Sequence, residues 1–547
     1  MGYGSGLYGS GIYPGSTQDI EFRKFSVTPI LLVEMRFPSG TRYVSNADAR
    51  YNSVYYEGRL LSMSPIRREI QRQLGLYEVN AVTAEISDTD QSFSSIVEPI
   101  KGTVVVVKLL TRILGISDAK TLLIGKIDDY EIADFSMSFV IKDAFLDIPE
   151  FPDTGFVDET NFPNAYKEHR GAPLPICYGT HSIELDDDFR NRGAWPTLYV
   201  DNTADSKKFL IAAHAVKAIN KVYTNRPTLG STELTLTTDY TVFPAGVLAG
   251  KTMAWIQFTT SQFNSKVVDG SSIGQVVCNV AGKEVTGTGS GSLITNPIDV
   301  LLDFLANYCG NPTIDGTTMT ESQGICTGRS YLVKGGYFEK STTQNVLADL
   351  VRSFNISLFL TSEGSVASNM VDASTMDSGG DLFDEARDIF KGSWSIDRNS
   401  QIEGAEDSQL VNSIDYSYDF HYAKNKSFRS NKTTDSESIS KYGTKSLVLD
   451  MPWNASSTNA GDVASRIIFQ FKNPVAHASF RTIIKAVQTE LAQRFLASHA
   501  NGHEGTAWSS RGMQMLSQVF NPADFSVQIR GRDINAITEG AYYFGAE

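Results

Sequence analysis

A proline-punctuated segment, NFPNAYKEHRGAPLPICYG from Asn161 to Gly179, limits the possible folds of this chain more than any other feature. Each of its three prolines, Pro163, Pro173 and Pro175, fixes the backbone angle φ and removes a backbone hydrogen-bond donor. The segment therefore cannot continue a helix or a central strand. Because strand-rich stretches lie on both sides of it, the sequence predicts an extended strap that runs over the surface between two β-rich regions.

Length and composition indicate a large, folded protein. At 547 residues the chain is long enough for roughly three to five domains. Hydrophobic residues make up 41% and charged residues 20%, which is too apolar for wholesale disorder. The 23 tyrosines and 30 phenylalanines outnumber the five tryptophans, and with 44 glycines they favour β-structure and large interfaces.

The charge balance restricts the partners of the chain. It carries 62 acidic and 48 basic residues, a net charge of −14. Such a field repels a polyanion, so nucleic-acid binding is not expected as the main role, although an acidic surface can line a channel through which DNA slides. No run approaches the roughly 20 apolar residues of a membrane helix, and the amino terminus lacks a basic region followed by an apolar core. We expect neither a membrane span nor a secretion signal.

The chain has four cysteines, Cys177, Cys278, Cys309 and Cys326, and no CxxC motif. Sparse cysteines without short spacing are typical of a protein made in a reducing cytoplasm. We therefore expect buried free thiols.

The first residues, 1–20, form a Gly/Tyr-rich arm. Its glycines raise the entropic cost of ordering, but five larger side chains could anchor it against a neighbour on assembly. A tail without a fixed position is the alternative. The possible assembly-interface residues are Tyr3, Leu7, Tyr8, Ile12 and Tyr13.

The remaining chain divides into six segments by strand and helix signals. The pattern predicts a β-rich α+β, multidomain fold with two small barrel-like β-modules, an inserted β-domain and a few packed helices. The two modules share the order of three strands, an acidic break and a short apolar segment, and the carboxy-terminal region can complete the barrels that they open. The predicted segments are a first β-module (21–100), a second β-module (101–150), the Pro-rich strap (151–180), the inserted β-domain (181–292), an α/β domain (293–390) and a carboxy-terminal β-rich domain (391–547).

Two helix starts are marked by capping residues. Asn296 is expected to cap a helix that begins with Pro297 and ends before Gly310. A second helix is predicted from Ser341, where Gln344 completes a capping box. Both helices carry one apolar face and are therefore predicted packing elements.

Candidate metal ligands are few. His499 and His503 stand four apart and Glu504 follows, a spacing that would share a cation on one helical turn, but flanking glycines favour an exposed loop. The acidic run Asp186–Asp188 lacks the alternating ligands and the glycine of a calcium loop, and a solvated acidic turn is the simpler interpretation. We predict no metal site.

Catalytic motifs are equally scarce. The sequence contains no GxxxxGK[ST], and its glycine-rich stretches lack the strand-to-helix setting of a phosphate loop. The carboxylate pairs Asp128–Asp129 and Asp187–Asp188 could serve as a glycosidase acid and base, yet neighbouring carboxylates on a strand point to opposite faces. The prediction is a protein that is not an enzyme and has no catalytic or cofactor-binding residue.

Four segments, in their order and spacing, resemble the hub proteins of bacteriophage tail baseplates and tail tips. They are YYEGRLLSMSP with the following EISDTDQSFSSIV (from Tyr55), the strap, NPIDVLLDFLANYCG (from Asn296), and LVNSIDYSYDF with the later SISKYG (from Leu410). The resemblance implies a trimeric hub that joins the tail tube to the central spike or fibre and forms part of the DNA exit channel. Two β-modules per subunit would then give a pseudo-sixfold ring that matches a hexameric tube.

The resemblance also implies partners and a location. Partners would be further copies of the chain, the distal tail or tube ring protein, the tape-measure protein and the spike or fibre, with DNA passing without specific binding. The protein would be made in the host bacterial cytoplasm and lie in the virion at the distal end of the tail. Some lambda-like tail-tip proteins hold an iron-sulfur cluster on four carboxy-terminal cysteines, but no cysteine follows Cys326 in this chain, so no cofactor is expected.

Two rival functions share these features. A receptor-binding or adhesin-type tail protein would be favoured if the inserted domain bound carbohydrate. A tail-associated cell-wall hydrolase would need an acidic pair or metal cluster that only folding could assemble.

Overall fold

The computed structural model describes residues 29–51, 53–70, 81–96, 98–111, 119–143, 148–183, 193–203, 206–370, 380–397, 410–473, 475–502 and 507–534. The predicted arm residues Tyr3, Leu7, Tyr8, Ile12 and Tyr13 lie outside these ranges, as do the rejected metal-ligand candidates His503, Glu504 and Asp186–Asp188.

Strands dominate the first half of the chain. The first segment contains β1 (Pro29–Phe37), β2 (Gly40–Ser45), β3 (Ala49–Tyr51), β4 (Val54–Tyr56), β5 (Leu60–Met63), β6 (Ile66–Glu69), β7 (Val82–Ser87), β8 (Val104–Thr111), β9 (Lys120–Ile132) and β10 (Ser136–Asp143). After a 3₁₀ turn (Lys167–His169) follow β11 (Ile176–Tyr178), β12 (Thr180–His181), β13 (Trp195–Pro196), β14 (Leu198–Asn202), β15 (Lys207–Ala212), β16 (Val216–Arg226), β17 (Gly230–Glu233), β18 (Thr241–Leu248), β19 (Lys251–Phe258), α1 (Thr260–Lys266), β20 (Val268–Asp269), β21 (Ser272–Ile273) and β22 (Gln275–Lys283).

The rest of the chain alternates helices and strands before it returns to strands. It contains α2 (Pro297–Tyr308), α3 (Gly316–Gly328), β23 (Gly335–Tyr337), α4 (Thr343–Arg352), β24 (Ser357–Leu360), β25 (Val366–Asn369), β26 (Asp381–Asp384), β27 (Ser395–Asp397), β28 (Ser413–His421), β29 (Lys426–Thr434), α5 (Ser436–Tyr442), β30 (Ser446–Met451), α6 (Ser457–Phe471), β31 (His477–Thr482), a 3₁₀ turn (Ile484–Gln488), β32 (Arg494–His499), β33 (Trp508–Asn521) and β34 (Ser526–Asp533).

One antiparallel sheet of seven strands, in the order β2-β1-β8-β9-β10-β7-β5, is formed by strands between Pro29 and Asp143. Alternating apolar residues build its inner face: Val82, Ala84 and Ile86 of β7 are buried and their neighbours are less so. Strand β8 pairs with β1, with Met35 opposite Val105, so strands of both predicted β-modules share this sheet. The predicted β-rich, multidomain fold class is confirmed, whereas the division into domains at the predicted boundaries stays a prediction.

The predicted inserted domain contains two antiparallel sheets. One has the order β12-β22-β16-β17 with β13 also on β22, and the other has the order β14-β15-β19-β18. Their facing side chains form a common core in which the rings of Tyr199 and Phe209 stack at 4.5 Å. Burying such large rings is the main stabilising contribution of a two-sheet core.

The carboxy-terminal region closes back onto the beginning of the chain. A sheet in the order β26-β32-β33-β34-β31-β27 also takes up β6, which pairs with β33 so that Ile66 lies opposite Phe520. A strand of the first segment thus completes a sheet built by the last one. Completion of the barrel-like modules by the carboxy-terminal region stays a prediction.

The first half of the strap, residues 161–172, lies mostly at the surface as predicted, but it consists of turns and the 3₁₀ turn Lys167–His169 rather than an extended backbone. Residues 173–179 are buried, and β11 within them pairs with β23, so the prediction of a surface-running strap is wrong for this half. Two glycines admit its backbone: a Cβ on Gly336 would lie 2.0 Å from the carbonyl oxygen of Ile176, and one on Gly282 would lie 2.3 Å from that of Cys177. Prolines restrict the backbone, but they do not decide whether it is covered.

The capping predictions hold to within one residue. Helix α2 begins at Pro297 with the Asn296 side chain accepting the Ile298 N–H, as predicted. Helix α4 begins one residue later than predicted, because the hydroxyl of Thr342, not of Ser341, accepts the N–H of Asn345. Among the described helices, none is both long and apolar enough to cross a bilayer.

Candidate functional site

A buried ion cluster joins three distant parts of the chain at Glu490. Its carboxylate lies 2.5 Å from a guanidinium nitrogen of Arg68 and 3.0 Å from Nζ of Lys120, and it accepts a hydrogen bond from the hydroxyl of Ser362. Arg68 also donates to the carbonyl of Leu360 at 2.9 Å. Burial by itself raises the pKa of Glu490, but the two cations and the hydrogen bonds lower it to about 2. The cluster is therefore charged, and it holds the first and last segments together.

A second buried cluster joins the strap to helix α2. The hydroxyl of Tyr178 donates to the carboxylate of Asp303, which also accepts hydrogen bonds from Nζ of Lys283 at 2.7 Å and from the side-chain amide of Asn307 at 3.0 Å. Lys283 also lies 4.7 Å above the ring of Tyr308, a cation–π arrangement. Burial raises the pKa of both tyrosines. Lys283 is the last residue of β22, so the cluster anchors the inserted domain to the helical region.

His214, whose segment was ambiguous between helix and strand, lies in the turn between β15 and β16. Its Nε2 accepts the N–H of Cys177 at 3.0 Å, and its Nδ1–H donates to the carbonyl of Ala215 at 2.8 Å. Burial, with a smaller contribution from Lys283, lowers the pKa of His214 to about 3. The neutral imidazole therefore links the strap to the inserted domain through these two hydrogen bonds.

An aromatic seam closes the other side of the inserted domain. The ring of Trp195 lies 4.7 Å from that of His181 and 4.6 Å from that of Tyr422. Burial, with a smaller contribution from nearby Lys334, lowers the pKa of His181 to about 3 and that of His421, the residue before Tyr422, to about 4. In this aromatic seam, segments that lie far apart in the sequence pack against one another, and its two histidines are neutral.

An exposed apolar end distinguishes the β9–β10 hairpin. Tyr130 lies opposite Phe139 and Ile132 opposite Met137 in the strand register, so these two side chains extend the inner face of the sheet beyond its core. Their exposed fractions are 41% and 45%, and that of Phe135 in the turn is 69%. We call residues 128–136 the hairpin tip. Apolar groups left in water at the end of a sheet are typical of a contact surface.

The hairpin tip also has an unpaired strand edge. The pairing of β9 with β8 reaches Lys126, opposite Val104, and the backbone of Ile127 bonds to residues 102 and 103. Beyond that point, within the described residues, β9 pairs only with β10 on its other side. The N–H and C=O groups of this edge are therefore available to a further strand.

His499 of the predicted histidine pair lines a surface cleft of about 590 Å³. Its ring stacks on that of Trp394 at 4.2 Å, its Nδ1 accepts the N–H of Asn501, and its Nε2 lies 3.5 Å from a carboxylate oxygen of Glu385. Within the described ranges, no group of three or more His, Cys, Asp or Glu side chains is arranged to hold a metal ion. These contacts indicate that His499 packs against Trp394 as part of the structure.

The predicted carboxylate pair Asp128–Asp129 lies on β9 at an irregularity in its pairing with β10. Asp128 forms an ion pair with Lys142 across that ladder at 2.5 Å. This cation, followed by Lys101, accounts for a lowered pKa of Asp128. A carboxyl held in its charged form is a poor general acid.

All four cysteines are buried, as predicted. Burial raises the pKa of Cys309 and of Cys326 to about 12, and raises that of Cys177 and Cys278 further. A thiol in such surroundings is unreactive, since the thiolate is the nucleophile and the metal ligand.

Sequence reasoning missed both buried ion clusters and the hairpin tip. Glu490, Arg68 and Lys120 carry no local motif, because 370 residues or more separate the acid from its partners. The sequence gives only a weak signal for the hairpin tip. Tyr130, Ile132 and Phe135 follow the acidic residues Asp128 and Asp129, and acidic neighbours favour an exposed position. Only the strand register shows that two of them continue a buried face.

No protein-family model matches the sequence, and no curated protein matches it. Solved structures do align with much of the chain. The 43 kDa tail protein of prophage MuSo2 from Shewanella oneidensis is 10% identical over 93% of this chain and 98% of its own, with a TM-score of 0.36. The tail protein from Neisseria meningitidis MC58 is 8% identical over 93% and 98%, with a TM-score of 0.35. A chain of the native gene transfer agent virion is 11% identical over 69% and 88%, with a TM-score of 0.41.

These structures are tail and virion proteins, the class that the sequence resemblance indicates.

Proposed function

We propose that this protein is a structural component of a bacteriophage tail, acting as a homotrimeric hub at the distal end of the tail. It would join the tail tube to the central spike or fibre and form part of the DNA exit channel. The observation that carries the proposal is the hairpin tip, where an apolar face and an unpaired strand edge coincide at the end of a seven-stranded sheet. The order of the four sequence segments supports the same assignment.

A ring needs a surface that continues from one subunit to the next. A strand edge is well suited to this, because backbone hydrogen bonds set the register while apolar side chains add affinity. In a ring of three copies related by threefold rotation, the hairpin tip of each subunit would contact the next subunit. We extend the proposal to the Gly/Tyr-rich arm, whose residues Tyr3, Leu7, Tyr8, Ile12 and Tyr13 would dock on an adjacent protein.

The two buried ion clusters, around Glu490 and around Asp303, suit a protein with a mechanical role. Glu490 and Asp303 each tie together segments that lie far apart in the chain, which makes it difficult for one segment to move alone. A net charge of −14 would let DNA pass without adhering. The protein would act without turnover, and its partners would be the distal tube ring, the tape-measure protein and the spike or fibre.

Electron cryo-microscopy of intact virions tests this proposal. We expect three copies of the chain in a ring at the distal end of the tube. Placement on a peripheral fibre, or a purified chain that stays monomeric with its tail partners present, would overturn the hub assignment.

A further inference from the structure

A second cleft, of about 500 Å³, opens where the strap meets the inserted domain. Its walls come from five separate stretches of chain: the strap around Tyr166, residues 196–199, Phe209 on β15, residues 271–276, and Phe338 after β23. This volume falls within the ~300–1,000 Å³ of ordinary small-ligand sites. The cleft uses none of the residues of the hairpin tip.

Aromatic rings form one side of this cleft and are held in place from behind. The ring of Tyr166 is half-buried and lies 5.7 Å from the buried ring of Tyr199, which stacks in turn on Phe209. Phe338 is also half-buried, with its ring 6.0 Å from that of Trp195. Since the inner rings belong to the core of the inserted domain, the two outer rings are pre-positioned to receive a flat apolar face.

Polar groups stand beside these rings. The Nδ1 of His169 accepts the N–H of Tyr199 at 2.6 Å, so its Nε2 carries the ring proton. Burial lowers the pKa of His169, which keeps the ring neutral. Glu168, Ser272 and Gln275 are exposed cleft residues, and no described residue forms an ion pair with Glu168. The cleft therefore offers a carboxylate, an amide, a hydroxyl and an imidazole within reach of an aromatic wall.

We infer that this cleft binds a neutral saccharide chain. A pyranose ring has an apolar C–H face, which packs on rings such as Tyr166 and Phe338, and hydroxyls that both donate and accept hydrogen bonds. Glu168 and Gln275 supply matching acceptors and donors. A purely apolar ligand would leave these groups without partners, at a cost in free energy.

Charge excludes two other ligand classes. Among the described residues that line the cleft there is no lysine or arginine, and Glu168 adds negative charge. A nucleotide could stack on the rings, but its phosphates would find no counter-charge, and an acidic glycan would be repelled. Saccharide binding in this cleft does not depend on the proposed hub role, and it would add attachment to a glycan surface to that role.

Saturation-transfer NMR on the purified full chain tests the inference. The probes are the neutral hexamers maltohexaose, cellohexaose and chitohexaose, with hexagalacturonate as the acidic comparison. We expect signal from at least one neutral hexamer and none from the acidic one. No signal from any neutral hexamer, or equal signal from hexagalacturonate, would overturn it.

Variants locate the binding. Tyr166→Ala should weaken binding of the responding hexamer about two- to tenfold, the usual worth of an aromatic contact. Glu168→Gln, which leaves the packing intact, should weaken it roughly fivefold. The control Tyr55→Ala removes an exposed ring on β4 and should change nothing. Unchanged binding in both cleft variants would place the saccharide elsewhere and overturn the assignment, and none of the three variants should alter the oligomeric state.

Discussion

Arg68 and Glu490 form a buried ion pair across 422 residues of sequence, with 2.5 Å between guanidinium nitrogen and carboxylate oxygen. Arg68 belongs to the short strand β6, which pairs with β33 near the end of the chain. The ion pair therefore reinforces the pairing of β6 with β33, which backbone hydrogen bonds already form. Both features tie a strand of the amino-terminal segment to the carboxy-terminal sheet.

Removing this carboxylate should destabilise the whole fold. Glu490→Gln leaves Arg68 and Lys120 largely buried without a counter-charge, and the free energy of unfolding should fall by about 3–5 kcal/mol. Urea denaturation measures the change. The control Glu437→Gln breaks an exposed pair with Lys441 in α5 and should leave the free energy of unfolding close to that of the wild type. Equal losses in the two variants would contradict the role of the cluster.

Stability should fall on mild acidification because of the buried neutral histidines. Burial lowers the pKa of His181 and His214 to about 3 and that of His421 to about 4. The unfolded chain binds these protons near pH ~6.5. The stabilisation is therefore complete above that pH and is lost as the pH falls towards the folded-state pKa values, by about 1.4 kcal/mol per pH unit for each histidine.

Urea denaturation between about pH 7 and about pH 5 measures this slope. His214→Gln should reduce it, since one titrating group is gone. Glu490→Gln should leave it unchanged, because the lowered pKa of Glu490 contributes stability that is lost only as the pH falls below ~4.5 towards about 2. A flat wild-type profile would show that the histidines are not buried in neutral form.

The close packing of the strap predicts a strong effect at Gly336. In Gly336→Ala the new Cβ would lie 2.0 Å from the carbonyl oxygen of Ile176 and 2.6 Å from the ring of Trp195. We expect a loss of about 1–3 kcal/mol in thermal or urea unfolding. Gly324→Ala in α3 is the matched control: no atom lies within 4 Å of its Cβ position, and it should stabilise by about 0.5–1 kcal/mol. A neutral Gly336→Ala would mean that the strap is loosely held.

The hairpin tip should control assembly without affecting the subunit. Phe135→Ser removes a ring that is 69% exposed, so its unfolding free energy should stay close to that of the wild type. If the ring is buried between copies, the dissociation constant of the oligomer should rise about tenfold or more. Sedimentation velocity over a concentration series measures it. Val448→Ser, at a residue 81% exposed on β30, is the control and should assemble normally.

The cysteines should be silent in the native protein. Because burial raises the pKa of Cys177, Cys278, Cys309 and Cys326, a maleimide should label none of them before denaturation and all four in urea. Mass spectrometry of the intact chain counts the labels. A label on the native chain would identify a cysteine that the fold exposes.

The short-range features were predictable because their causes are local. Asn296 caps α2 through a hydrogen bond to a residue two positions on, and Thr342 caps α4 three positions before its partner. Strand alternation such as that of Val82–Ser87 likewise reflects one face against solvent. These patterns are sufficient to predict the β-rich fold class and the buried thiols.

Contacts between segments far apart in the sequence could not be predicted from these local patterns. Burial of the second half of the strap depends on Gly282 and Gly336, which lie more than 100 residues further along the chain. The cleft near Tyr166 needs Phe338, and the ion cluster of Arg68 needs Glu490. Periodicity and capping act over a few residues, so by themselves they determined the kinds of elements and their order. Which side chains meet was decided only by tertiary packing, because contacts between distant segments leave no local pattern in the sequence.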